Sequence, residues 1–152
     1  MIPNTIVIHH SASLPATPIS EIDRWHKQRG FTKSSLGFFV GYHYVISYTG
    51  QLYQTRRDQE LGCHTIPNGG KIGICLVGNF MEDTPSTMQL ETLSALCEKL
   101  KKDYNISEVK GHRDFANTLC PGDNLYLFVL QDKVNWLRSV INLLLKALRL
   151  HA

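Results

Sequence analysis

The sequence has four cysteines, Cys63, Cys75, Cys97 and Cys120, with no CxxC pair and no dense spacing among them. That pattern excludes a disulfide framework. Three of the four lie in apolar or helical patterns, where a free cysteine acts as a small hydrophobe, so reduced thiols and synthesis in a cytosol are expected. No run of 18 apolar residues occurs, which excludes a membrane-spanning helix. The first residues, MIPNTIVIHHSAS, lack a basic segment ahead of a short apolar run, so no signal peptide is expected. The charge excess is small: 16 Lys and Arg against 13 Asp and Glu give +3. A clustered basic face is missing, so nucleic acid is not an expected partner. Repeats, low-complexity linkers and composition shifts are also absent, and residues 1–152 read as one domain.

What is present is an alternation of strand-like and helix-like segments. TIVIH (5–9) reads as a buried strand ended by Ser-Ala-Ser. SEIDRWHKQRG (20–30) predicts a helix with Ser20 as N-cap and Gly30 at its C-terminal end. GYHYVISYTGQLYQTR (41–56) predicts a hairpin turning at Thr49-Gly50. KIGICLVGNF (71–80) is an apolar run suited to the centre of a sheet. Between Pro85 and Tyr104, Ser86 and Gln89 form a capping box ahead of helically spaced Leu90, Leu93, Leu96, Cys97 and Leu100. A short strand is expected near 106–110, and an amphipathic helix at about 130–150. The interleaving defines an α/β fold with a central mixed β-sheet flanked by helices.

Chemistry concentrates in GHRDFANTLCPG (111–122), where His112 and Cys120 stand eight residues apart ahead of a Cys-Pro turn. Zinc accepts imidazole and thiolate together, and a catalytic zinc site uses three protein ligands and one open position. Spacing alone leaves the matter open. His112 bonded to a backbone carbonyl, with Cys120 packed under Pro121, fits the residue types as well. His9 and His10 point to opposite faces of a strand, so one of them at most can join such a site. Cys63 beside His64 raises a thiol nucleophile, although adjacent residues of an extended chain point apart.

Six segments in colinear order add a resemblance. They are IVIHHSAS (6–13), EIDRWHKQRGF (21–31), VGYHYVI (40–46), QTRRDQELGCH (54–64), IGICLVGNF (72–80) and GHRDFANTLCPG (111–122). Together they resemble the zinc-dependent N-acetylmuramoyl-L-alanine amidases, a family that includes amidase-type phage endolysins and peptidoglycan recognition proteins. The resemblance implies one Zn²⁺ per chain, held by His9, His112 and Cys120. It further implies that Tyr42 activates or orients the attacking water and that the Thr118 hydroxyl faces the oxyanion of the tetrahedral intermediate. The implied substrate groove involves His64, with Trp25, Arg57 and Asn68 as further substrate-binding candidates.

The implied partner is peptidoglycan, cut between N-acetylmuramic acid and L-alanine, with release through a holin-type lesion as in a phage endolysin. The oligomeric state is left open. Two departures from the family pattern stand out: Thr118 where a lysine is common, and Lys71 where a serine commonly precedes Ile-Gly. Bland readings compete at several positions. Trp25 suits a helix's inner face, His43 alternates with Tyr42 as a structural histidine, and Arg56 and Arg57 suit a solvated pair as well as a carboxylate clamp. The leucine-rich C-terminal helix suits packing against the sheet better than a membrane surface. The rival functions are a non-catalytic peptidoglycan-binding module, which the presence of Cys120 and Tyr42 disfavours, and a cytosolic muropeptide-recycling amidase.

Overall fold

A computed structural model describes residues 1–131. Five strands form one sheet: β1 (Thr5–His10), β2 (Tyr44–Ile46), β3 (Leu52–Gln54), β4 (Lys71–Leu76) and β5 (Glu108–Gly111), in the order β3-β2-β4-β1-β5. Only β3 runs antiparallel to its neighbour; β2, β4, β1 and β5 are mutually parallel. Two long helices interleave with them, α1 (Ile19–Gln28) and α2 (Thr87–Tyr104), and residues 123–131 begin a third. This is the mixed, helix-flanked sheet that the sequence pattern predicts.

All six residues of β1 and all six of β4 are buried, as expected for parallel strands covered on both faces. Alternation along them divides the interior in two. Ile6, Ile8, Ile72, Ile74 and Leu76 pack under α2 against Leu93, Leu96, Cys97 and Leu100, with Leu125 and Val129 of the last helical segment. On the opposite face, Val45, Cys75 and Val77 meet Ile22 of α1, flanked by Ile19, Trp25 and Tyr42. His9 belongs to this second face and His10 to the first, where its Nδ1 accepts from the Phe80 N–H at 3.3 Å.

α2 starts where the sequence places it. Ser86 Oγ accepts from the Gln89 N–H while the Gln89 side chain accepts from the Ser86 N–H, completing the capping box. The Gln89 amide is fully buried and also donates to the Val77 carbonyl at 2.9 Å, tying the helix to the end of β4. α1 departs from expectation. Its N-cap is Pro18, with no side-chain cap, and Ser20 lies inside the first turn. Proline's fixed φ suits the position, and burial of Ile19 against the second core extends the helix past the better capping residue.

Asp58 supports the hairpin from beneath, accepting from Tyr44 Oη at 2.6 Å and Tyr104 Oη at 2.8 Å. The helix expected at about 130–150 falls outside the described residues apart from its first two, and the helical segment there begins earlier, at Asp123. No helix among the described residues is long and apolar enough to cross a membrane.

Candidate metal centre

The C-terminal end of β1 delivers His9 to the α1 side of the sheet, the usual location of a site in a sheet of parallel strands. β5 ends at Gly111, and a single turn of 3₁₀ helix (His112–Asp114) swings His112 over the same edge. The loop then returns to Cys120, with the Arg113 N–H donating to the Cys120 carbonyl at 2.9 Å and the Thr118 Oγ accepting from the Cys120 N–H at 3.2 Å. One ligand atom from each of His9, His112 and Cys120 lies within 4.8 Å of the others. Of the two adjacent histidines, His9 is the one that joins the cluster.

The Cys120 Sγ stands 3.6 Å from the His9 Nδ1. Ordinary Zn–S and Zn–N bonds at a tetrahedral angle separate sulfur from nitrogen by about 3.6 Å. The donor types therefore suit a zinc ion, and the spacing of this sulfur–nitrogen pair matches it. Protonation states agree. Burial, reinforced by His64, His112 and His10, holds the His9 imidazole well below its ordinary pKa, and burial lowers that of His112 too. Both rings are neutral at pH 7, as metal ligands must be.

Burial pushes the Cys120 thiol up to about 11, whereas an activated cysteine nucleophile has a depressed pKa. A sulfur in this setting becomes a thiolate when a cation arrives. The third converging donor, His112, is also more than a cysteine–histidine dyad requires.

Tyr42 packs its ring 5.0 Å from that of His9 and 5.3 Å from that of His26. Burial, followed by the neighbouring Cys75 and Cys120, raises its hydroxyl well above the ordinary tyrosine range, so the group is a proton donor at neutral pH. Thr118 is half-buried in the ligand loop, and its oxygen, while accepting from Cys120, keeps an O–H free to donate.

The remaining candidates occupy different positions. His64 is buried behind His9, its Nδ1 3.1 Å from the His9 Nε2, so little of it faces an open groove. Asn68 caps the same loop, its Oδ1 accepting from the N–H groups of His64 and Thr65 at 3.0 and 2.9 Å. Both line a groove of about 430 Å³ with Phe31, Cys63, His112 and Phe115. Trp25 is half-buried; it packs on the second core and lines a surface hollow with Ser11, Ala12 and Arg29.

Arg57 is exposed on the loop after β3 and is not part of the groove lining. Arg56 is neither a solvated residue nor a carboxylate clamp. It is 2% exposed, and its guanidinium donates to the carbonyls of Val40, Leu61 and Thr32, joining three loops. With its guanidinium buried and turned to these backbone carbonyls, Arg56 is not presented to a ligand at the surface. His43 is structural as expected: its Nδ1 accepts from the Gly73 N–H at 3.0 Å and its Nε2 meets the Glu60 carbonyl at 3.0 Å. Cys63 Sγ contacts Thr32 Oγ1 at 3.7 Å.

Two supporting elements are not evident in the sequence. Cys75 lies buried beneath Tyr42, and His26 accepts the Gly41 N–H at 2.9 Å. No motif or periodicity in the sequence marks either of them, whereas the glycines of LGCH and KIGIC flank the His64 ring.

The sheet thus carries a cluster of His9, His112 and Cys120 able to hold a metal ion, and comparison with known proteins gives the class to which such a chain belongs. The family model described as N-acetylmuramoyl-L-alanine amidase matches residues 1–123, and the chain belongs to that family. It is 37% identical over 131 residues to peptidoglycan recognition protein 1 of Mus musculus, covering 80% of this chain and 70% of that protein. It is 32% identical over 130 residues to the endolysin of Enterobacteria phage T3, covering 79% and 81%. Among solved structures, the N-acetylmuramoyl-L-alanine amidase LysC from Clostridium intestinale URNW superposes with a TM-score of 0.78 at 34% identity, covering 89% of this chain and 87% of that one.

Proposed function

We propose that the protein is a zinc-dependent hydrolase of bacterial peptidoglycan, cleaving the amide between N-acetylmuramic acid and the L-alanine of the stem peptide, in the manner of a phage endolysin. The observation that carries the reading is the convergence of His9, His112 and Cys120 at zinc-like spacing on the lip of a groove. Zinc held by these three side chains would act as a Lewis acid toward the scissile carbonyl and lower the pKa of its water.

The chain's own residues supply the rest. His9 and His112 present neutral imidazoles, and Cys120 supplies the one anionic ligand. Tyr42, protonated at neutral pH, donates a hydrogen bond that orients the attacking water. The Thr118 hydroxyl donates to the developing oxyanion. With threonine instead of lysine at this position, no fixed positive charge assists there. Phe31 and Phe115 give the groove apolar walls against which a stem peptide can lie.

Digestion of purified peptidoglycan, followed by mass spectrometry, tests the assignment. The wild-type protein releases stem peptides beginning at L-alanine, a strong chelator stops the release, and added zinc restores it. Cys120→Ser is inactive under the same conditions, whereas Cys63→Ser keeps activity within about twofold. Cleavage between sugars, or activity insensitive to chelation, would overturn the reading.

A further inference from the structure

The contact between His64 and His9 runs on to a third group whose role admits no ambiguity. The His64 Nε2 faces the backbone carbonyl of Lys71 at 3.4 Å. A carbonyl only accepts, so the proton of that contact sits on His64 Nε2. The neutral ring then carries a lone pair on Nδ1, which lies 3.1 Å from the His9 Nε2. Only an N–H on His9 Nε2 satisfies that lone pair, and the His9 Nδ1 is left bare on the side facing Cys120.

The opposite assignment fails twice. It would set a lone pair of His64 against those of the Lys71 carbonyl, and it would place a proton on the His9 atom that faces the other ligands. The His64 ring has no room to turn away. A β-carbon built on Gly62 would lie 2.4 Å from it, and one on Gly73 would lie 2.7 Å from it, so backbone crowds it from both. The backbone N–H of His64 is held by the Asn68 Oδ1 at 3.0 Å.

We propose that His64 is a positioning residue: through the chain Lys71 carbonyl, His64, His9, it fixes the His9 imidazole in the Nε2–H tautomer, with Nδ1 presented for metal binding. The inference rests on the reading that His9, His112 and Cys120 hold a metal, and it adds the residue that prepares the first ligand. Partners of this kind, bonded to the far nitrogen of a ligand histidine, commonly contribute 10–100-fold in metal affinity.

The test uses the full chain and Zn²⁺ alone, with affinity read by competition against a chromophoric chelator. His64→Phe keeps the ring between the two glycines but removes the acceptor, and weakens zinc binding by about 10–100-fold. His64→Asn places an amide oxygen near the lost Nδ1 and recovers most of the affinity. Wild-type affinity in His64→Phe overturns the inference alone, whereas failure of the wild type to bind zinc overturns the metal reading as well. A second measurement needs no variant. Long-range ¹⁵N–¹H correlation spectra of the metal-free wild type show Nε2–H tautomers for both His9 and His64, and an Nδ1–H tautomer at either ring overturns the inference.

Discussion

Gly73 and His64 are in contact so close that no other residue fits at position 73: a β-carbon there would lie 2.7 Å from the His64 ring carbons. Gly73 sits at the midpoint of β4, paired with Val7 of β1, and its N–H is bound by His43. Neither the strand nor the buried ring can yield without breaking a hydrogen bond. Gly73→Ala is therefore expected to destabilise the fold by about 1–3 kcal/mol through overpacking. It should also weaken zinc retention, since the ring it displaces contacts His9. Chemical denaturation and metal analysis of the purified variant check both effects, and an unchanged midpoint would contradict the crowding.

Tyr42→Phe removes one hydroxyl from a ring held by His9 and His26. His9, His112 and Cys120 keep their places, so on the proposed function zinc content is expected to stay at the wild-type level while kcat falls by about 100-fold, the lower end of what a positioned proton donor contributes. Steady-state kinetics on peptidoglycan fragments, paired with metal analysis, separate this outcome from loss of the metal. A parallel loss of zinc would mean that Tyr42 is structural.

Arg56→Met is a stability prediction. The guanidinium satisfies the carbonyls of Val40, Leu61 and Thr32 in a nearly dry pocket, and methionine fills the stem's volume while orphaning those acceptors. A loss of about 3 kcal/mol is expected. Denaturant titration measures it. A change below about 0.5 kcal/mol would show that water replaces the guanidinium without cost.

His26 predicts a pH dependence. Burial, with Arg29 next, lowers its pKa from 6.5 to about 4, and its Nδ1 must stay unprotonated to accept from Gly41. The unfolded chain takes up this proton near pH 6.5 and the folded chain near pH 4. The contribution is therefore complete above 6.5 and is lost as the pH falls from 6.5 towards 4. His26→Asn keeps an acceptor there but cannot titrate. Between pH 7 and 4.5 the wild type should lose about 1–2 kcal/mol more than the variant, with allowance for solvent screening. Parallel thermal melts at the two pH values decide it, and equal losses in both proteins would refute the assignment.

Much of this architecture is legible in the sequence because local chemistry and burial agree. Ser86 and Gln89 cap α2 as their spacing demands, and the run KIGICLVGNF at 71–80 does supply the central strand, over Lys71–Leu76. At α1 the two disagree, and Ile19 reaching the core outweighs the hydroxyl of Ser20. In the site, residue types suggest a metal, but only the motif match brings together His9 and Cys120, 111 residues apart. Arg56 and His64 were harder. Whether an arginine meets solvent or carbonyls, and whether a histidine lies in front of or behind another, depends on loops that no periodicity describes.

The two sides of the cluster differ in how they are anchored. β1 is clasped between β4 and β5, so His9 rises from a strand paired on both sides, whereas His112 and Cys120 belong to an eleven-residue excursion beyond the end of β5. The centre works like a vice with one jaw cast into the bench and the other on a slide. Insertions or exchanges between Arg113 and Leu119 should retune the grip on an ion and its preference among metals while leaving the scaffold intact, and a redesign of this enzyme has its natural handle there.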